Sequence, residues 1–160
     1  MNMVRKATKK DISRIAEIII FGKRVAYRSI FQNDVVSFQE MQVIPLGEEY
    51  KDNPEMLEHM LVFDDGIVKG VINCKPVGNE VEICEFYVEP FFKGQGIGRK
   101  LLEHVIAESK ESGKSRIFLW VLEENLSARR FYEANGFCAS GEICLVEGTD
   151  KVDMCYEYNI

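Results

Sequence analysis

Three glycines alternate at Gly94, Gly96 and Gly98, between an apolar run that ends at Val88-Glu89-Pro90 and a stretch with Leu101, Leu102, Val105 and Ile106 at helical spacing. A second apolar run, Arg116 to Leu122, follows Gly113. Strand, glycine loop, helix and strand make a β-α-β unit, whose two strands must run parallel with a right-handed connection. No other feature limits the fold as much. The spacing predicts strands over 81–88 and 116–122 and a helix over 96–112, stopped by Gly113.

The flanking segments read as hairpins and helices. Leu61-Val62-Phe63, Asp65-Gly66 and Ile67 to Ile72 predict two strands joined by a tight turn, because Asp-Gly tolerates the positive φ such turns need. Thr8-Lys9-Lys10-Asp11 resembles a capping box, and Ile12, Ile15, Ala16 and Ile19 place a helix from about residue 9. Between Arg24 and Met56, Phe31, Phe38 and Met41 suggest one or two short helices, with Pro45-Leu46-Gly47 breaking the pattern. A short helix over 127–135 is closed by Gly136, and two strands, 137–146 and 152–158, surround Gly148-Thr149-Asp150. The expected fold is α+β: one domain of 160 residues around a mixed sheet, with antiparallel hairpins beside one parallel unit.

Composition removes several functions. A formal net charge of -6 disfavours a nucleic-acid partner, favours cationic partners weakly, and helps solubility in any case. No apolar run approaches the roughly eighteen residues of a membrane span, and Met1 to Lys6 has no signal-peptide pattern. The expectation is a soluble, cytoplasmic protein with no membrane partner. Five cysteines make an odd set without any C-x-x-C pair, so neither a disulfide framework nor a zinc site is spelled out. Cys74 and Cys84 lie in apolar runs and read as reduced core residues; His59 and His104 have no ligand-like neighbours, and no metal is expected.

A glycine loop between a strand and a helix exposes unpaired amides at the positive end of a helix dipole, which suits a phosphate. A purely structural turn is the plainer reading. The dinucleotide fingerprint G-x-G-x-x-G fails, since Gly94 and Gly96 are followed by Arg99 where the third glycine belongs, and no Gly-Lys-Ser/Thr of a Walker loop occurs. Instead, Val88-Glu89-Pro90-Phe91-Phe92-Lys93-Gly94-Gln95-Gly96-Ile97-Gly98-Arg99-Lys100-Leu101-Leu102 resembles the central motif of the GNAT acetyltransferases, with Lys93 at the Arg/Gln position. Asn125 to Phe137 is similar to that family's second signature, N-x-x-A-x-x-F-Y-x-x-x-G-F.

The resemblance implies acetyl-CoA as cosubstrate. Backbone groups of Phe86, Tyr87 and Val88 would meet pantetheine, and amides of Lys93, Gly94, Gln95, Gly96, Ile97, Gly98 and Arg99 would wrap the pyrophosphate. Asn125 would contact pantetheine and Ala128 would leave room for it. For Asn125 the rival role is a plain helix cap, which Ser127 could fill instead. Tyr132, four residues after Ala128, would protonate the departing thiolate; its rival role is a core tyrosine beside Phe131. A protonated amine acceptor must also lose a proton. Alternation puts Glu82, Cys84, Phe86 and Val88 on one face of the strand and Val81, Ile83, Glu85 and Tyr87 on the other. Where the family uses a base here it matches Glu82; Glu85 and a water chain are the alternatives.

The implied reaction is direct acetyl transfer to a primary amine in a ternary complex, with the Val88 amide stabilising the oxyanion. A small-molecule amine is the favoured acceptor. Arg24-Val25-Ala26-Tyr27-Arg28-Ser29-Ile30-Phe31 is faintly similar to the matching segment of bacterial polyamine acetyltransferases. Acetylation of a protein N-terminus or lysine, a noncatalytic acyl-CoA sensor, and assembly as a homodimer remain open alternatives.

Overall fold

The parallel pair expected from the glycine loop is present: β4 (Glu80–Val88) and β5 (Arg116–Leu122) run in the register Glu80↔Arg116 through Ile83↔Leu119. This computed structural model describes residues 2–160. The other strands are β1 (Val4–Lys6), β2 (Met60–Asp64), β3 (Val68–Val77), β6 (Cys138–Leu145) and β7 (Val152–Asn159). Together they form one mixed sheet in the order β1-β2-β3-β4-β5-β7-β6. The pairs β1·β2, β2·β3, β5·β7 and β6·β7 are antiparallel, so the α+β reading holds. The helices are α1 (Ile12–Phe31), α2 (Val43–Asp52), α3 (Ile97–Glu111) and α4 (Leu126–Ala134).

The chain divides into two compact units, Met1–Cys74 with Glu85–Val105 and Lys75–Cys84 with Ile106–Ile160. In the first, Ile12, Ile15, Ile18 and Ile19 of α1 pack with Tyr50, Leu57, Met60, Val62 and Val71. The three- and four-residue spacing of the isoleucines is what buries one helix face. A turn of 3-10 helix, Lys9–Asp11, precedes α1; the Thr8 N–H donates to Asp11 Oδ2 at 2.8 Å, and the Asp11 N–H donates to the Thr8 carbonyl at 2.9 Å.

The segment after Arg24 departs from the sequence reading. α1 runs unbroken to Phe31 and stops at Gln32, whose φ of 51° is left-handed and whose N–H donates to the Arg28 carbonyl. A π-helical turn, Val36–Glu40, follows. Pro45-Leu46-Gly47 then lies inside α2 instead of breaking it. Pro45 is the third helical residue, where its missing N–H would have had no intrahelical partner anyway. Gly47 brings α2 close to α1: a Cβ there would lie 3.9 Å from Ala16 Cβ. β1, too short to show periodicity, was not foreseen, and β3 extends past the predicted Ile72 to Val77.

In the second unit β7 sits between β5 and β6 and buries Cys155 and Tyr156. Arg116 bridges Glu80 at 3.0 Å and Glu157 at 2.7 Å across three neighbouring strands. The expectation for the cysteines is corrected. Cys84 is exposed and Cys74 half-buried, whereas Cys155 is the buried one. Cys84 shares its strand face with the charged Glu82, and local apolar character did not reveal that. Among the described residues no helix is long and apolar enough to cross a membrane, and no group of three metal-ligating side chains occurs.

Candidate active site

In the first unit the loop after β4 is anchored before it turns. The Glu89 N–H donates to the Lys69 carbonyl at 2.8 Å. The Glu89 carboxylate, 7% exposed, accepts from Arg14 at 2.8 Å, and the same guanidinium donates through Nε to the Val68 carbonyl. A 3-10 turn, Pro90–Phe92, follows, with the Lys69 ammonium 4.6 Å from the Phe92 ring centroid. Gly94 and Gly96 then both adopt φ of 78°, a left-handed conformation that glycine enters without a Cβ penalty. Nothing lies within 4 Å of the place a Cβ would take at either.

α3 begins at Ile97, and Lys100 donates to the Gly96 carbonyl at 3.1 Å. The amides of Ile97, Gly98 and Arg99 thus belong to the first turn, which has no carbonyls of its own to bond. Gly70 sets how closely α3 approaches β3. A Cβ on it would stand 2.9 Å from Ile97 Cγ2 and 3.0 Å from Leu101 Cδ1. Its place in an apolar strand run was the available sequence signal for this contact.

The same unit brings α1 onto the last residues of β4. Lys23 Nζ lies 3.5 Å from Glu85 Oε1, and the hydroxyls of Tyr27 and Tyr87 are 3.0 Å apart. Lys23 and Tyr27 are one helical turn apart, and Glu85 and Tyr87 are alternate residues of one strand, so the two pairs stand side by side. Gly22 permits the contact: a Cβ there would sit 2.6 Å from Tyr87 Cδ1. Burial raises the pKa of Glu85, and the Lys23 charge opposes that rise. Tyr50, 2% exposed, has its phenol pushed up first by burial and then by the Glu85 charge. Of these residues the sequence singled out Tyr87 and Glu85, and Tyr27 only as part of the segment 24–31; Gly22, Lys23 and Tyr50 were missed.

In the second unit Glu82 Oε2 lies 3.5 Å from Lys75 Nζ, and Glu82 is in register with Phe118. Asn125 caps α4, its side chain accepting the Ala128 N–H at 3.3 Å, so Ser127 does not serve as the cap. Tyr132 is 8% exposed, with Phe131, Phe137 and Tyr156 ring centroids at 5.4, 5.8 and 6.4 Å. α4 is tied down by Tyr156, whose hydroxyl accepts from Arg129 Nε at 3.0 Å and donates to Glu133 Oε1 at 2.7 Å.

Comparison with known proteins gives three kinds of match. Residues 26–137 fit the family model described as the acetyltransferase (GNAT) family. An uncharacterized N-acetyltransferase of Methanocaldococcus jannaschii is 37% identical over 89 residues, covering 46% of this chain and 39% of that protein. This chain therefore spans well under two thirds of that relative. A spermidine N(1)-acetyltransferase of Thermoplasma acidophilum is 23% identical over 160 residues, covering 96% of this chain and 94% of that protein. The crystal structure of PaiA N-acetyltransferase from Thermoplasma acidophilum in complex with coenzyme A shares the fold with a TM-score of 0.76 at 21% identity, over 98% of both chains.

Proposed function

The chain belongs to the acetyltransferase (GNAT) family, and from that premise we propose that it transfers an acetyl group from acetyl-CoA directly to a primary amine. The observation that carries this reading is the left-handed pair Gly94 and Gly96 opening into α3, with unfilled space beside both. Such a turn lets the amides of Lys93 through Arg99 approach a pyrophosphate, and the helix dipole favours its charge. Phe86, Tyr87 and Val88 take the pantetheine arm, aided by Asn125 and by the small side chain at Ala128, and the Val88 amide receives the oxyanion. Asn125 keeps its side-chain NH2 for this even while its oxygen caps α4.

Tyr132 supplies the proton to the leaving thiolate. Its burial among aromatic rings suits a neutral phenol that must act where water is scarce. Glu82 and Glu85 are the two candidate bases. Motif position favours Glu82; surroundings favour Glu85, whose burial moves its pKa toward the range where a general base is efficient. A small amine, polyamine-like in character, is the favoured acceptor, supported by the net charge of -6 and by the likeness to a spermidine acetyltransferase.

The test is calorimetry with acetyl-CoA together with release of CoA over a panel of amines, amino acids and peptides. One binding site and amine-dependent release are expected, with affinity reduced at least tenfold in Gly96→Glu, which sets bulk and a negative charge where phosphate belongs. Unchanged affinity in the folded variant overturns the loop assignment. Tight binding without release to any amine would leave a sensor.

A further inference from the structure

Most half-buried ion pairs of this protein are short: Arg5 reaches both oxygens of Asp11 at 2.9 Å, Arg116 joins Glu157 and Glu80 at 2.7 and 3.0 Å, and Lys69 and Lys151 meet Asp65 and Glu124 at 2.7 and 2.9 Å. Lys23 and Glu85 differ. Their side chains are 29% and 26% exposed, yet a single contact of 3.5 Å joins them. The similarly long Lys75–Glu82 contact has its lysine 62% exposed, as an ordinary surface pair does. A loose pair withdrawn from water adds little stability, and an apolar pair of similar volume would serve the fold as well.

The surroundings explain what the pair could be for. Lys23 from α1 meets Glu85, the Glu85 charge reaches Tyr50 of α2, and Tyr27 and Tyr87 pair with each other beside them. Lys23 is the only cation among them. A half-buried carboxylate requires a cation or a proton, and a lysine head is chemically the same group as a protonated primary amine on a flexible stem. We propose that Lys23 is an internal stand-in for the acceptor's ammonium: it occupies the cation position on Glu85, and an incoming primary amine binds by displacing it. Lys23 thereby sets the affinity of the amine site and keeps Glu85 ionised between substrates. This rests on the amine-acetylation reading only for the identity of the guest, since the cation position itself needs no acetyl-CoA.

The experiment uses the full chain with selectively labelled carboxyl groups, observing the Glu85 side-chain carbon by NMR. Ethylammonium chloride is the probe, with sodium chloride at equal ionic strength as the control. Lys23→Ala should show a saturable shift at Glu85 with ethylammonium, with at least tenfold weaker binding in the wild type, where Lys23 competes. The same titration followed at a labelled Tyr50 ring, which feels the Glu85 charge and is kept in every variant, should lose its response in Lys23→Ala/Glu85→Gln. Lys23→Met, which keeps the stem packed, gives the same comparison should the alanine variant not fold. Equal responses in wild type and Lys23 variants overturn the proposal, as does a response that survives Glu85→Gln. Because no acetyl transfer is measured, a negative result here leaves the activity reading intact, and an inactive enzyme that still binds ethylammonium leaves this one intact.

Discussion

The ring of Tyr87 lies so close to Gly22 that a methyl group added to the glycine would stand 2.6 Å from Cδ1, 2.9 Å from Cγ and 3.0 Å from Cβ. Those atoms are the root of the side chain and cannot swing aside as a flexible tip would. In an unobstructed helix, glycine to alanine gains about 1 kcal/mol. Here overpacking costs about 1 to 3 kcal/mol, and moving Tyr87 also breaks its bond to Tyr27. Gly22→Ala should therefore lower unfolding free energy by about 1 to 2 kcal/mol in urea denaturation, against the usual sign. A more stable variant would mean that α1 does not rest on Tyr87 in solution.

Asp11 should make the fold sensitive to acid. Hydrogen bonds from Arg5, then those from Thr8, hold its pKa at about 2, below the ordinary 3.8. A lowered folded-state value contributes stability above the unfolded-state pKa and loses it as pH falls toward 2. Because Arg5 is 39% exposed, screening trims the effect to about 1 to 2 kcal/mol. Denaturation midpoints should fall between pH 4 and pH 2, and Asp11→Asn should flatten that slope by about this amount.

Tyr132→Phe removes one hydroxyl and keeps the ring among Phe131, Phe137 and Tyr156. Turnover should fall about 100-fold or more, while acetyl-CoA affinity changes by less than about twofold. A rate within about twofold of wild type on a true substrate would make Tyr132 a packing residue.

The two candidate bases separate by pH. Glu85 is shifted above the ordinary carboxylate value by burial, with Lys23 opposing, so a rate limb reporting its ionisation should rise with pH above the usual carboxylate range. Glu85→Gln should remove that limb and Glu82→Gln should leave it, as read from kcat/KM against pH. Lys23→Met, which deletes the opposing charge, should move the limb to higher pH. The reverse pattern, with Glu82→Gln removing the limb, would return the role to the motif position.

The β-α-β unit was legible because three local signals agree there: glycines at 94, 96 and 113 with positive φ, an apolar helix face, and strand ends at the predicted residues. The glycine turn was readable for the same reason, whereas Asn125, weighed as a pantetheine contact with the cap as its rival role and Ser127 as another possible cap, turns out to be the cap itself. The stretch after Arg24 was not. A proline in a first helical turn looks like a breaker unless the helix start is known, and Gly47 has its reason in another helix. The face where Lys23 meets Glu85 and Tyr27 meets Tyr87 joins residues about sixty positions apart, which periodicity does not register. Gly22, in the middle of an isoleucine-rich helix, was the one mark it left.

The placement of β7 between β5 and β6 carries a kinetic consequence. Among the described residues β6 pairs in the sheet only with β7, a strand that comes after it in the chain, so this half cannot be assembled by adding strands in sequence order. The hairpin of β6 and β7, closed locally through the Val146–Lys151 hydrogen bond, is the unit that can form early. Its seven-residue register with β5, from Arg116↔Asn159 to Leu122↔Asp153, is a later and longer-range event that fixes α4 as it closes. Substitutions that weaken the turn should slow folding, whereas those in the β5·β7 seam should chiefly speed unfolding.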